Sequence, residues 1–160
     1  MSTISLISAG FTRPSDTTAY ASGDLVANST TAGSVVPMRF DISDGGDGGM
    51  IRRVRIIKSG TSVTSSSFRL HLYSSATITC ANGDNGAWST NQAANYFGAF
   101  DITVDKAMTD GAVGNGIPLV GTEMNFGINT YYGLLEARGA YTPSSAEVFT
   151  VELEVIKANA

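Results

Sequence analysis

Cysteine, histidine and tryptophan each occur once in the 160 residues, as Cys80, His71 and Trp88. A lone cysteine excludes an intrachain disulfide and a cysteine metal cluster. A lone histidine leaves little scope for acid–base chemistry, and no G-x-S-x-G elbow supplies a strained serine to pair with it. Charged residues make up only 15% of the chain and sum to −4, so nothing draws the protein as a whole to nucleic acid or to an anionic membrane. No apolar run approaches the roughly 18 residues of a spanning helix. No amphipathic stretch of helical length and no fixed-period repeat is present. The opening MSTISLISAG lacks a basic start and a sustained apolar core, so synthesis in a cytoplasm without secretion is expected. The acceptor pattern Asn28-Ser29-Thr30 is then not expected to carry sugar.

What remains is polar, uncharged and rich in turns, with 18 glycines and 35 serines and threonines. That composition suits an all-β domain. Residues 1–18 read as an extended N-terminal arm, because Pro14 forces extended backbone and Ser15–Thr18 resist helix. Residues 19–160 read as a single domain. Its expected strands are Tyr20–Asn28 with a turn or bulge at Gly23-Asp24, Val35–Ile42 at an edge because of Pro37, Met50–Ser59, and Ser67–Ser75. Further strands are expected at Tyr96–Val104, at Met124–Asn129 joined tightly to Tyr131–Arg138, and at Ala146–Lys157. In the last, Phe149, Val151, Leu153 and Val155 share one face. Lys106–Gly121 reads as a long contact-making loop, and Ser74–Asn95 is doubtful apart from a hairpin signal at Asn82-Gly83. About eight strands with long polar connections predict an antiparallel β-sandwich, jelly-roll-like, with an immunoglobulin-type sandwich as the alternative.

Few residues invite chemistry. The series Asp41, Asp44, Asp47 departs from calcium-loop spacing, and Arg52 stands where the closing glutamate belongs, so no metal is expected. Carboxylates for glycoside hydrolysis could be drawn from Asp101, Asp105, Glu136 or Glu152, and an aromatic sugar platform from Trp88, Tyr96, Tyr131 or Tyr132. Surface carboxylates and core aromatics account for the same residues, and no catalytic residue or cofactor is assigned. Cys80 is expected to pack as an inert small residue. Six of the ten basic residues fall between positions 39 and 69, while Glu147, Glu152 and Glu154 gather at the last strand. Separate basic and acidic surfaces would suit association with copies of the chain.

Three segments carry a resemblance. Thr12, Arg13, Pro14, Asp16, Thr17, Tyr20, Asp24, Leu25 and Val26 match a T-R-P-x-D-T-x-x-Y opening that leads to a short apolar pair. FRLHLYS at 68–74 and YYGLLEARGAYTPSSAEVFTVELE at 131–154 follow in the same order. These resemble small virion structural proteins of tailed bacteriophages. The resemblance implies a virion protein on the capsid surface, a decoration or cement protein that stabilises the shell between capsomers. It also implies a homotrimer with itself and the major capsid protein as partners, and neither nucleic acid nor membrane. A tail-tip or fibre-associated binding module, with carbohydrate as one candidate ligand, is the alternative. Candidate inter-subunit contacts are Arg13 and Asp16 on the arm, Tyr20 at its end, and Arg53, Arg55, Arg69 and His71 on the strands.

Overall fold

The computed structural model describes residues 3–42, 48–117, 124–126 and 130–157. It is an all-β protein of two antiparallel sheets, as the composition implies. Its strands are β1 (Thr3–Thr12), β2 (Leu25–Val26), β3 (Met38–Asp41), β4 (Gly49–Lys58), β5 (Ser67–Tyr73) and β6 (Tyr96–Thr103). They continue with β7 (Lys106–Ala107), β8 (Ala112–Gly116), β9 (Met124–Phe126), β10 (Thr130–Ala137) and β11 (Val148–Lys157). One sheet runs β1-β11-β4-β8-β7, with β9 also on β4, and the other runs β2-β10-β5-β6, with β3 also on β10.

Eight of these strands carry the architecture. Taken in order as β1, β3, β4, β5, β6, β8, β10 and β11, the first pairs with the last and the second with the seventh. The third pairs with the sixth and the fourth with the fifth. Such nested pairing is a long hairpin rolled into two sheets, which is a jelly roll. The core is the row the alternation marks: Phe68, Leu70 and Leu72 face Phe149, Val151, Leu153 and Val155, all fully buried. Phe68 meets the rings of Tyr141 and Phe149 edge-on.

Three expectations are corrected. Residues 3–12 are not an arm: β1 pairs with β11 over its whole length, from Thr3 opposite Lys157 to Thr12 opposite Val148. Ile7, Ala9 and Phe11 line its inner face and pack on the core, and Phe11 stacks on Phe149 at 5.5 Å. That face is a core face only once β11 lies beside it, which the segment's own weak alternation could not disclose. Lys106–Gly121 is not one loop. β8 pairs with β4, and Gly114 also lets it come close to the end of β6, since a Cβ there would lie 2.0 Å from the Thr103 carbonyl oxygen. Finally, β9 and β10 are not a hairpin but belong to different sheets. The join at Asn129 lies outside the described residues.

Elsewhere the expectations needed trimming. The strand foreseen at Tyr20–Asn28 shrinks to Leu25–Val26, because Gly23 takes φ +98° and turns the chain just before it. Pro37 sits immediately before the edge strand β3, where a missing N–H costs nothing. Asp44 and Asp47 of the acidic loop lie outside the described residues. Asp41, the first of that series, accepts from Arg39 and from the Thr130 hydroxyl.

Candidate interaction surfaces and polar clasps

Arg13 leaves β1 pointing inward, and its side chain is fully buried. Its Nη2 donates to Asp84 Oδ2 at 2.8 Å and its Nε donates to the Tyr20 hydroxyl. Tyr20 in turn donates to Asp84 Oδ1 at 2.7 Å, and the Ala27 amide donates to the same oxygen at 2.8 Å. Asp16 closes the turn around them, accepting from the Thr18 amide and from Arg13 Nη2, while its carbonyl accepts from Arg13 Nη1. The Thr18 amide, and after it Arg13, hold the Asp16 carboxyl below the usual carboxylate range. Burial, and then Asp84, pushes the Tyr20 hydroxyl far above its ordinary pKa, so it stays protonated and serves as a donor. A buried arginine, tyrosine and aspartate thus clasp the start of the chain to the turn at 82–86. Gly83 lets that turn lie on residues 29–30, since a Cβ there would lie 2.1 Å from the Thr30 carbonyl oxygen.

A second clasp closes the same end of the strand bundle, where the Arg13 amide donates to the Glu147 carbonyl. Lys58 ends β4 with its side chain wholly buried, donating from Nζ to the carbonyls of Gly60 and Ser62 and to the Tyr141 hydroxyl at 2.8 Å. Glu147, equally buried, lies 3.4 Å from Nζ and accepts from Tyr141 at 2.7 Å. Burial draws the Lys58 pKa down against the opposing pull of Glu147. Burial, and then Glu147, drives the Tyr141 hydroxyl well up. A Cβ on Gly60 would overlap Glu147 Oε1 at 1.8 Å, so any larger residue there would displace the carboxylate from its place beside the ammonium.

The third cluster lies on the outer face of the five-stranded sheet. His71 was expected to make an inter-subunit contact, but residues 74–95 fold across this face as a loose hairpin bridged at Cys80 and Thr90. Trp88 stacks on the imidazole at 4.1 Å and leaves His71 only 8% exposed. His71 Nε2 lies 2.7 Å from Glu136 Oε2, and Nδ1 lies 3.0 Å from the Tyr96 hydroxyl. Arg138 donates to the other Glu136 oxygen at 2.9 Å. Burial lowers the His71 pKa more than Glu136 raises it, and Arg69 and Arg138 add to the lowering. Half-buried Cys80 belongs to the same cover, packed against a small apolar cluster that includes Leu25, Ile78 and Leu134. Burial pushes its thiol pKa up, away from the reactive thiolate.

The charges expected to form separate surfaces turn out to be neighbours. β4 and β11 are adjacent, so Arg55 pairs with Glu152, and Arg53 with Glu154 at 2.6 Å. The register slips by one residue between Glu154 and Val155, which leaves Arg52 as the extra residue, 3.6 Å from the same glutamate. Arg69 pairs with Asp101 through two bonds of 2.7 and 3.0 Å. Of the seven candidate inter-subunit residues, Arg13 and Tyr20 are buried clasp members and Asp16 caps them. Arg53, Arg55, Arg69 and His71 are each engaged within the chain.

Of the aromatics weighed as a sugar platform, Tyr131 is in the core, while Trp88 and Tyr96 both lie against His71. Asp101, Glu136 and Glu152 each hold a cation of their own. A shallow apolar gap lined by Phe11, Val26, Met38 and Leu135 among others has no room for even a water-sized sphere, far short of a small-ligand site. Sequence reasoning missed Asp84, Lys58, Tyr141 and the Trp88 cover. Asp84 reads locally as turn chemistry, and nothing in the sequence marks its arginine partner 71 positions away. What the chain does leave open is β1, whose outward Ile4 and Leu6 are 59% and 56% exposed. Compared with known proteins, the chain matches no protein-family profile and no curated protein.

Proposed function

We propose that this chain is a structural protein of a tailed-phage virion, a decoration protein bound on the outside of the capsid shell. The observation that carries the reading is the place of the three resembling segments in the fold. Arg13 and Tyr20 of the first meet on Asp84. The FRLHLY segment is β5 and the YGLLE segment lies in β10; these are paired strands joined across the sheet by His71 and Glu136. The FTVEL segment lies in β11, the strand on which β1 lies. The matched residues therefore hold one jelly roll closed, without disulfides, through buried clasps between loops and strands. A shell-bound protein needs that kind of rigidity, and it needs contact surface rather than a cleft. The test is copy number. Quantitative mass spectrometry of purified particles from the phage encoding this chain should find it at hundreds of copies, in fixed ratio to the major capsid protein. Absence from the particles would overturn the reading, and a few to a dozen copies would move the protein to the tail.

A further inference from the structure

We propose that β1 is a self-association edge: two copies of this chain pair antiparallel through their β1 strands about a two-fold axis, joining their larger sheets into one. Among the described residues, β1 lies at the end of its sheet and pairs only with β11. From Ile4 to Thr12 it carries no charged residue and no proline, and its register on β11 has no bulge. Unpaired strand edges invite pairing, and proteins ordinarily blunt them with charge, proline, bulges or shortness.

The other edges of this protein are blunted in those ways. β7 has two residues, one of them Lys106, and β2 also has two. β3 has four, with Arg39 and Asp41 facing out and Pro37 just before it. β6 has a register slip at Leu72/Tyr73, a glycine at φ +153° and Asp101. Among the described residues, only β1 is a long edge strand with neither bulge nor charge from Ile4 to Thr12.

The second copy is the occupant that fits. Ile4, Ile156 and Met50 stand opposite one another across three strands, so an apolar strip on the outer face runs out to the β1 edge. A two-fold pairing over residues 4–10 sets Ile4 opposite Gly10 and Leu6 opposite Ser8, so the two Leu6 side chains adjoin on the outer face with an Ile4 at each end of the shared ladder. An uncharged edge meets its own copy with no like-charge repulsion, and the neighbouring Glu152 and Glu154 are already matched by Arg55 and Arg53. Pairing over residues 4–10 adds about seven backbone hydrogen bonds, within the number a typical interface carries. A ring built on β1 would require a second receptive edge on each chain, and the remaining edges are the blunted ones; identical edges close after two copies. The geometry therefore favours a two-fold contact over the three-fold one that the resemblance implies.

This inference does not depend on where in the particle the protein sits. The test is native mass spectrometry and light scattering of the purified full chain at roughly 100 µM, where even a small interface is populated. The wild-type chain should be dimeric. Ile4→Lys/Leu6→Lys changes only outward side chains, and it should weaken dimerisation by at least about tenfold by placing four like charges along one ladder. Its melting temperature as a monomer should be preserved; if the double variant does not fold, Leu6→Lys alone makes the same test. Met108→Lys, at an exposed site beyond β7, should leave the dimer intact. A monomeric wild type, a trimer, or a dimer indifferent to lysine at positions 4 and 6 would each overturn the proposal.

Discussion

Replacing Arg13 by alanine separates a fold-holding role from an intersubunit one. The guanidinium is fully buried and makes four hydrogen bonds, to Asp84, Tyr20 and twice to Asp16. Its removal leaves the Asp84 carboxylate buried with only the Tyr20 hydroxyl and the Ala27 amide as partners. Removing one member of a buried ion pair costs about 3–5 kcal/mol, because the surviving charge loses its counter-charge without regaining water. For a chain of this size each kcal/mol lowers Tm by about 2–4 °C, so Arg13→Ala should melt about 6–20 °C below wild type. Urea denaturation followed by tyrosine and tryptophan fluorescence gives the free energy directly. Arg13→Met/Asp84→Asn removes both charges and keeps the amide partners. Its loss should fall short of the sum of the two single losses by at least about 1 kcal/mol. If Arg13→Ala melts within about 2 °C of wild type but associates less, the guanidinium serves a neighbour and the clasp argument fails.

In the second clasp, Lys58→Met strands the buried Glu147 carboxylate and should cost about 3–5 kcal/mol, whereas Tyr141→Phe removes one hydroxyl and should cost about 1–3. Urea denaturation of both checks the order, and a reversed order would mean that the ammonium is not what the loop wraps. His71 supplies a pH dependence. Burial keeps its folded-state pKa below the ordinary value of about 6.5, so as pH falls the unfolded chain takes up the proton first. Stability present above pH about 6.5 is therefore lost as pH falls through the folded pKa, and His71→Gln should remove that part of the slope. Unfolding free energies between pH 5 and 8 decide it; a constant gap between wild type and variant would contradict the assignment.

The fold was legible where one face of a strand is buried throughout. The alternation in β5 and β11 marked the core row directly, and turn chemistry at Gly23-Asp24 and Pro37 marked real breaks. It was illegible where burial is supplied by distant partners. β1 alternates weakly, and Ile7 and Phe11 become core residues only against β11, some 140 positions away. Three of the five β8 residues are alanine or glycine, which signal a loop unless a neighbouring strand needs to come close. The same limit hid the clasps. Arg13, Lys58 and the β4 arginines read as surface charge because a charge is buried, or neutralised across a sheet, by residues that lie 71 to 101 positions further on. His71 was placed on the correct face of β5, but no local pattern disclosed that Trp88 would cover it.

A cryo-electron microscopy map of intact particles, resolved to side chains, tests the central claim most directly. The account predicts this jelly roll on the outer surface of the shell, with Arg13 enclosed by Tyr20 and Asp84 inside each copy and contacts to neighbours made along β1. A shell without this density, or one in which Arg13 reaches out of its own chain to a neighbouring subunit, would contradict it.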